Sequence, residues 1–364
     1  MNNLPEPNIF KAYDIRGIVD KTLTIKTVEQ IGRALGSYAS KKKQRKICVG
    51  YDGRLSSPKL SNALITGLLS TGIDVINIGL VTTPMLYFST HLLETHSGVM
   101  ITGSHNPPEY NGIKMMVDGV TLSPDEIQYL YQSILDEEFS TGKGELYHQD
   151  IKDNYLNKIK EIIHLERPMT ISIDCGNGAA GVCAEDLFSS LNVKVNSLFC
   201  DVDGNFPNHH PDPSNPKNLI DLQESLKTTN SELGLAFDGD GDRLGVITKS
   251  GEIIYPDRQL LLFAEDVLIN NPGATIIFDV KSTRHLFKWI KDKGGTPMIW
   301  KTGHSLIKAK MKEESALLAG EMSGHTFFSD RWYGFDDGLY AGARLLEILS
   351  KYDNPSEILE ALPK

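Results

Sequence analysis

Ser104 is the centre of the first stretch that could do chemistry, Gly98-Val-Met-Ile-Thr-Gly-Ser-His-Asn-Pro107. Val99, Met100 and Ile101 read as the end of a buried strand, and Gly103, Asn106, Pro107 and Pro108 then force a turn. A serine leaving a buried strand into a tight turn is held rigidly with its hydroxyl outward, as a nucleophile must be. Lys114, on the strand expected to follow, could bind phosphoryl oxygens or move a proton. His105 is adjacent to the serine in sequence, so the two side chains need not face each other. It is not read as a triad base.

The second stretch is Phe237-Asp-Gly-Asp-Gly-Asp-Arg243. Glycines between Asp238, Asp240 and Asp242 let three carboxylates share a short arc, and hard oxygens favour Mg²⁺ or Ca²⁺. An EF-hand is excluded: with Asp238 first, Arg243 falls where that loop needs glycine and Lys249 where it needs glutamate. Without a cation the three carboxylates would repel one another. Arg243, next in line, suggests a phosphate oxygen nearby. The third set is Lys281, Lys301-Thr-Gly-His304-Ser305 and Gly320-Glu-Met-Ser-Gly-His325. Glu321, Ser323 and His325 put a carboxylate, a hydroxyl and an imidazole on one glycine-punctuated loop, a set suited to sugar hydroxyls and proton transfer. Near the N-terminus, Lys11-Ala-Tyr-Asp-Ile-Arg-Gly17 ends with Arg16 before a glycine turn.

Phosphoryl transfer to or from a sugar through a phosphoserine accounts for all of these stretches. A Mg²⁺-dependent phosphatase of the aspartyl type, with Asp238 as nucleophile and Asp240 as acid, leaves the Ser104 and Glu321 loops without a role. A phosphosugar-binding protein without turnover is a further alternative.

The elements that must position these loops form a triplicated pattern. Each copy opens with an apolar strand ending near an aspartate: Ile47 to Asp52, Ile171 to Asp174, Ile276 to Asp279. Helical spacing follows over Ser57 to Leu69, Val182 to Leu191 and Ser282 to Lys291. Second strands are expected at Asp74 to Ile78, Val193 to Phe199 and Thr296 to Trp300, and third strands at Gly98 to Ile101, Leu233 to Phe237 and Ala316 to Leu318. The expected fold is α/β, with three similar mixed-sheet domains in tandem around a shared cleft. The expected division is 1–148, 149–254 and 255–364. Thr141-Gly-Lys-Gly144 reads as a break before a helical stretch from Ile151 to Ile163, and the chain closes on a helical stretch from Ser356 to Leu362.

At 364 residues the chain is too long for one ordinary core. Its net charge of −10 disfavours nucleic acid as a partner, so an anionic substrate needs a local cluster of cations. Met1 to Phe10 is polar, with no signal sequence, and no membrane span is expected. The four cysteines, Cys48, Cys175, Cys183 and Cys200, form no C-x-x-C pair. They read as small buried thiols of a cytoplasmic protein, with no metal or disulfide role.

Together the Ala12-to-Gly17, Thr102-to-Pro107, Asp238-to-Arg243, Lys301-to-His304 and Gly320-to-His325 motifs resemble the α-D-phosphohexomutase superfamily. The likeness is nearest to its bacterial bifunctional phosphomannomutase/phosphoglucomutase branch and runs the length of the chain. It implies that Ser104 is the phosphoserine, and that Asp238, Asp240 and Asp242 hold Mg²⁺ together with a phosphoserine oxygen. It implies that Tyr13, Lys281, His304, Glu321 and Ser323 bind substrate, while Arg16, Lys114, Arg243 and His325 surround the reacting groups. It leaves the proton to His325 or Lys114. Hexose phosphates are the implied substrates, a hexose 1,6-bisphosphate the intermediate and activator, and a monomer or weak dimer the expected state. Met322 stands where glucosamine-specific members tend to carry glutamine. The resemblance also leads one to expect a fourth, C-terminal phosphate-gripping domain, and no sequence like it follows Glu321.

Overall fold

The computed structural model describes residues 4–364, so part of the Met1–Phe10 reading lies outside the described residues. The chain forms two compact units, one of residues 1–152 with 203–205, the other of 153–202 with 206–364.

The first unit holds β1 (Ile15–Ile18), α1 (Ile25–Lys41), β2 (Lys46–Tyr51), α2 (Ser57–Leu69), β3 (Asp74–Leu80), α3 (Thr83–Leu92), β4 (Gly98–Ile101), β5 (Tyr110–Val117), β6 (Val120–Thr121), α4 (Pro124–Leu135) and β7 (Leu146–His148). Its sheet runs β1-β5-β4-β2-β3-β7, with β6 on β5. β2 is parallel to β3 and β4, and β5 is antiparallel to β4. Apolar residues of α1 at helical spacing, Val28, Ile31 and Leu35, are fully buried against Leu60, Leu64 and Leu68 of α2. Thr141–Gly144 is docked rather than loose: Gly142 and Gly144 donate to the carbonyls of Ser70 and Leu69 at 2.9 and 2.8 Å.

The second unit contains two sheets. One is built from β8 (Met169–Asp174), β9 (Val193–Leu198), β10 (Leu233–Phe237), β11 (Leu244–Thr248) and β12 (Ile253–Ile254), with helices α5 (Lys152–Ile162), α6 (Ala184–Ser190) and α7 (Ile220–Thr228). The other is built from β13 (Thr275–Asp279), β14 (Thr296–Trp300), β15 (Leu318–Gly320) and β16 (Thr326–Phe328), with α8 (Pro256–Asn270), α9 (His285–Asp292), α10 (His304–Glu314), α11 (Gly338–Leu349) and α12 (Pro355–Glu360). Strand orders are β12-β11-β10-β8-β9 and β14-β13-β15-β16. All three sheets therefore share one pattern: second strand, first strand, third strand, all parallel, then an antiparallel return.

The expected strands and helices correspond to these elements within a few residues. The third strand of the last sheet starts at Leu318 rather than Ala316 because the chain must first leave α10. Left-handed Ser315 ends that helix, and Ala316 still donates to the Met311 carbonyl. Regular helix begins late after β8, where a 3₁₀ turn over Ala179–Val182 precedes α6. α9 starts at His285 because Asp279 holds the Ser282 hydroxyl at 2.8 Å and the Thr283 hydroxyl accepts from the His285 amide.

The sequence reading missed α11. Every residue of this helix is buried, and it is apolar nearly all round, the pattern of a helix enclosed by its own protein. It packs on β10 and β11 of one sheet and on β16 and α8 of the other. Asp337 caps it by accepting from the Tyr340 amide at 2.9 Å. The same carboxylate accepts from Tyr155 of α5 at 2.9 and 3.0 Å and from the Trp332 indole at 3.2 Å.

Burial raises Asp337 to about 7, against three hydrogen bonds that favour its charged form. A carboxyl raised on folding stabilises fully below its unfolded value of 3.8, and that contribution is lost as pH rises to about 7. The contribution at stake is on the order of 4 kcal/mol. Urea unfolding between pH 4.5 and 8 should show this decline in the native chain and a flatter profile in Asp337→Asn. Parallel profiles would exclude the assignment.

Candidate active site

Ser104 sits just past the carboxyl end of β4, 2 % exposed, in the left-handed region at φ 49°. A non-glycine residue pays strain there, and such strain is retained where the surroundings over-determine it. Arg54 is what does so. Its guanidinium, 1 % exposed, donates to four carbonyls of one loop: Ser104 at 2.8 Å, Asn106 at 2.6 Å, Pro107 at 2.6 Å and Tyr110 at 3.0 Å. Asp52 holds Arg54 in turn, with Oδ2 at 3.2 Å from Nε and 3.1 Å from the Gly103 amide. Its Oδ1 accepts from the Arg54 amide and the Ser57 hydroxyl. Gly103 is required because a Cβ there would enter the guanidinium.

Arg16 and Lys114 belong to this unit. Arg16 pairs with Asp14 at 2.5 Å and, with the Asn106 amide oxygen turned toward it, donates to that oxygen at 2.9 and 3.2 Å. Lys114 is buried on β5, opposite Met100 of β4. Tyr13 is half-buried in the turn before β1. His105 does face the serine, its Nδ1 3.2 Å from Ser104 Oγ, because the left-handed turn brings neighbouring side chains together.

In the second unit, Asp238, Asp240 and Asp242 follow β10, all with no exposed surface. Their ligand atoms lie within 4.8 Å of one another. Asp238 Oδ1 accepts from the amides of Asp242 and Arg243 at 3.1 and 3.2 Å, which fixes the arc. The Glu321 loop, after β15, meets this arc directly. Leu244 donates to the Gly324 carbonyl at 3.2 Å, and Gly338 to that of Gly241 at 3.2 Å. His325 Nε2 lies 3.2 Å from Asp242 Oδ1 and 3.3 Å from Arg243 Nε. Its Nδ1 lies 3.0 Å from both Glu321 Oε2 and Ser323 Oγ.

Glu321 is spoken for at both oxygens, since Oε1 accepts from the Gly303 amide at 2.5 Å. That bond ties His304 at the start of α10 to the same network, 5.7 Å from His325 between ring centres. Lys281 is exposed after β13, where its amide donates to Asp279 at 3.2 Å.

Burial and the neighbouring Arg243 would lower His325, but Asp242 and Glu321 together outweigh them and raise it to about 9. Sequence reading missed Asp336, which is fully buried and 2.9 Å from Lys308. Burial would raise Asp336; Lys308 and His304 hold it down at about 2. The Gly334-Phe-Asp-Asp-Gly338 turn was the signal available for it. Arg54 could have been found from Asp52-Gly-Arg54 at a strand end.

Three hard carboxylates in a fixed arc fit a small divalent cation. The electrostatics fit as well: Asp238, Asp240, Asp242, Glu321 and Asp336 are all buried here, faced by Arg243, Lys308, His304 and His325, so the arc adds carboxylates that a cation would offset.

Three sequence profiles match the chain: phosphoglucomutase/phosphomannomutase alpha/beta/alpha domain I over residues 7–141, domain II over 153–251 and domain III over 255–364. A phosphoglucomutase of Neisseria meningitidis is 58 % identical over 98 % of this chain and 78 % of its own length. A phosphomannomutase/phosphoglucomutase of Pseudomonas aeruginosa is 55 % identical over 98 % of this chain and 77 % of its own. A crystal structure of a family protein from Burkholderia thailandensis superposes with a TM-score of 0.97 at 53 % identity, covering 99 % of this chain and 81 % of that one.

Replacing Arg54 by methionine strands Asp52 as an uncompensated buried charge, at about 3–5 kcal/mol. Urea midpoints should fall accordingly, and limited proteolysis should open at 103–110. Unchanged proteolysis there would remove Arg54 as the brace.

Proposed function

Since the chain belongs to the phosphoglucomutase/phosphomannomutase family, we propose that it interconverts hexose 1-phosphate and hexose 6-phosphate, with mannose or glucose as the sugar. Ser104 carries the phosphoryl group. Its P–O bond breaks as the free hydroxyl of the substrate forms a new one, giving a hexose 1,6-bisphosphate. The serine then takes back the other phosphate. Asp238, Asp240 and Asp242 would hold Mg²⁺, which when bound supplies positive charge to the transferring group. Arg16 and Arg243 offset the charge on phosphoryl oxygens. His325, 3.2 Å from Asp242, and Lys114 are assigned to give and take the hydroxyl proton. His304, Glu321 and Ser323 read sugar hydroxyls, and Tyr13 and Lys281 complete the substrate contacts. The working division is 1–148 for the phosphoserine turn, 149–254 for the metal turn and 255–364 for the sugar loop. We place the enzyme in the cytoplasm as a monomer or weak dimer.

The observation that carries this reading is the hydrogen-bonded union of the carboxylate arc with the Glu321–His325 loop. It joins a metal-type donor set to a polyol-type donor set. An aspartyl phosphatase is disfavoured, because Asp238 is fully buried, with Oδ1 taken by two amides and Oδ2 facing Arg243 at 3.8 Å.

Ser104→Ala should lower turnover of glucose 1-phosphate by about three decades or more while leaving the fold unchanged. Intact mass of the purified native chain should show a phosphorylated fraction mapping to Ser104. Phosphate elsewhere, with the alanine variant fully active, would refute the carrier role. Asp240→Asn should weaken Mg²⁺ binding in calorimetric titration and lower turnover by at least tenfold. Undiminished turnover in chelator contradicts the metal assignment.

A further inference from the structure

Two thiols that the proposed chemistry does not use lie together beside the metal turn. Cys175 follows β8, and Cys200 lies just beyond β9. These strands run parallel in register, Asp174 opposite Leu198, so their carboxyl ends deliver both side chains to one point. The Sγ atoms are 3.1 Å apart, and both cysteines are free thiols. Bonding requires an approach of about 1 Å, to the disulfide separation of roughly 2.05 Å. The backbones are already close, with the Cys175 amide donating to the Leu198 carbonyl at 3.2 Å. Cys175 is fully buried, whereas Cys200 is half-buried and accessible.

The segment between this pair and the carboxylate arc is tightly wedged. Asn177 donates to the Phe199 carbonyl at 2.8 Å, and Gly178 to that of Cys175 at 2.7 Å. Ala179 donates to the carbonyl of Gly239, between Asp238 and Asp240, at 2.9 Å. A Cβ on Gly178 would stand 2.9 Å from the Gly239 Cα. Gly176 and Asn177 both have left-handed backbones, so this turn has little room to absorb a shift elsewhere.

We propose that Cys175 and Cys200 are a reversible oxidation site, closed to a disulfide by peroxides or by low-molecular-weight disulfides, and that closure disturbs the Asp238 turn. With hydrogen peroxide, the accessible Cys200 sulfur attacks as thiolate. The O–O bond breaks, hydroxide leaves, and Cys200 becomes a sulfenic acid. The Cys175 sulfur then displaces that oxygen, which leaves as water once protonated. In sum, two thiols give up two electrons and two protons, and one peroxide becomes two waters. With glutathione disulfide, two exchange steps pass the same electrons to its sulfurs. A reversible cysteine pair of this kind suits a reducing compartment, where disulfides are transient and sensing rather than structural.

The test uses the full native chain treated with hydrogen peroxide or oxidised glutathione. Peptide mapping without reductant should recover a Cys175–Cys200 crosslinked peptide, with two of the four thiols lost and dithiothreitol restoring both. Turnover of glucose 1-phosphate should fall severalfold in step with the crosslink and recover with it. Cys200→Ser should keep its basal turnover and resist both oxidants. The crosslink is read by mass and stands apart from the activity, which rests on the mutase reading. Recovery of Cys200 only as a sulfenic acid or a glutathione adduct would overturn the pair. A crosslink that leaves turnover unchanged would overturn its coupling to the Asp238 turn.

Discussion

Carboxylates cannot be buried in a cluster without compensating charge, and the second unit is organised around that constraint. Asp238, Asp240 and Asp242 lie on one short arc with no exposed surface. The cations that answer them come from different parts of the chain: Arg243 from the same turn, His325 from the loop after β15, and Lys308 from α10 through Asp336. The distant cations reach the arc only where the last two sheets pack together, so the electrostatics of the turn and the packing of the unit are one problem. The hard oxygens of the arc suit a divalent ion as a further partner.

A second device recurs in each sheet and holds the loops still. The aspartate that ends the first strand folds its carboxylate back onto the amide two residues on: Asp52 to Arg54, Asp174 to Gly176, Asp279 to Lys281. A further contact of each carboxylate then reaches into a neighbouring loop. Asp52 takes the Gly103 amide, Asp174 the His209 imidazole and Asp279 the Thr302 hydroxyl. The strand-end aspartates are therefore loop anchors. In the first unit the anchor is extended by Arg54, which gathers four carbonyls and so sets the turn that carries Ser104.

α11 unites the last two sheets. Its apolar faces fill the space between them, and its buried arginine, Arg344, pairs with Asp266 and Asp330 at 2.7 and 2.9 Å. The Asp337 cap fastens the start of the helix to Tyr155 of α5, and Gly338 fastens it to Gly241 of the metal turn. The same few residues thus join the packing of the unit to the geometry of its site.

The sequence alone determined the α/β class, the triplicated strand–helix pattern and the three loops with chemistry. Periodicity and glycine spacing are local properties, and a strand such as Leu233–Phe237 ends where its apolar run ends. It also determined the residue types of the site, since a carboxylate arc or a serine elbow is written in consecutive letters. Tertiary structure decided which distant groups complete them. Arg54 reaches the Ser104 loop across some fifty positions of chain, Asp336 enters the His304–Lys308 cluster through a turn, and Cys175 meets Cys200 because parallel strands end side by side. No local pattern encodes such encounters. They follow from strand register and burial, which exist only once the sheets have formed.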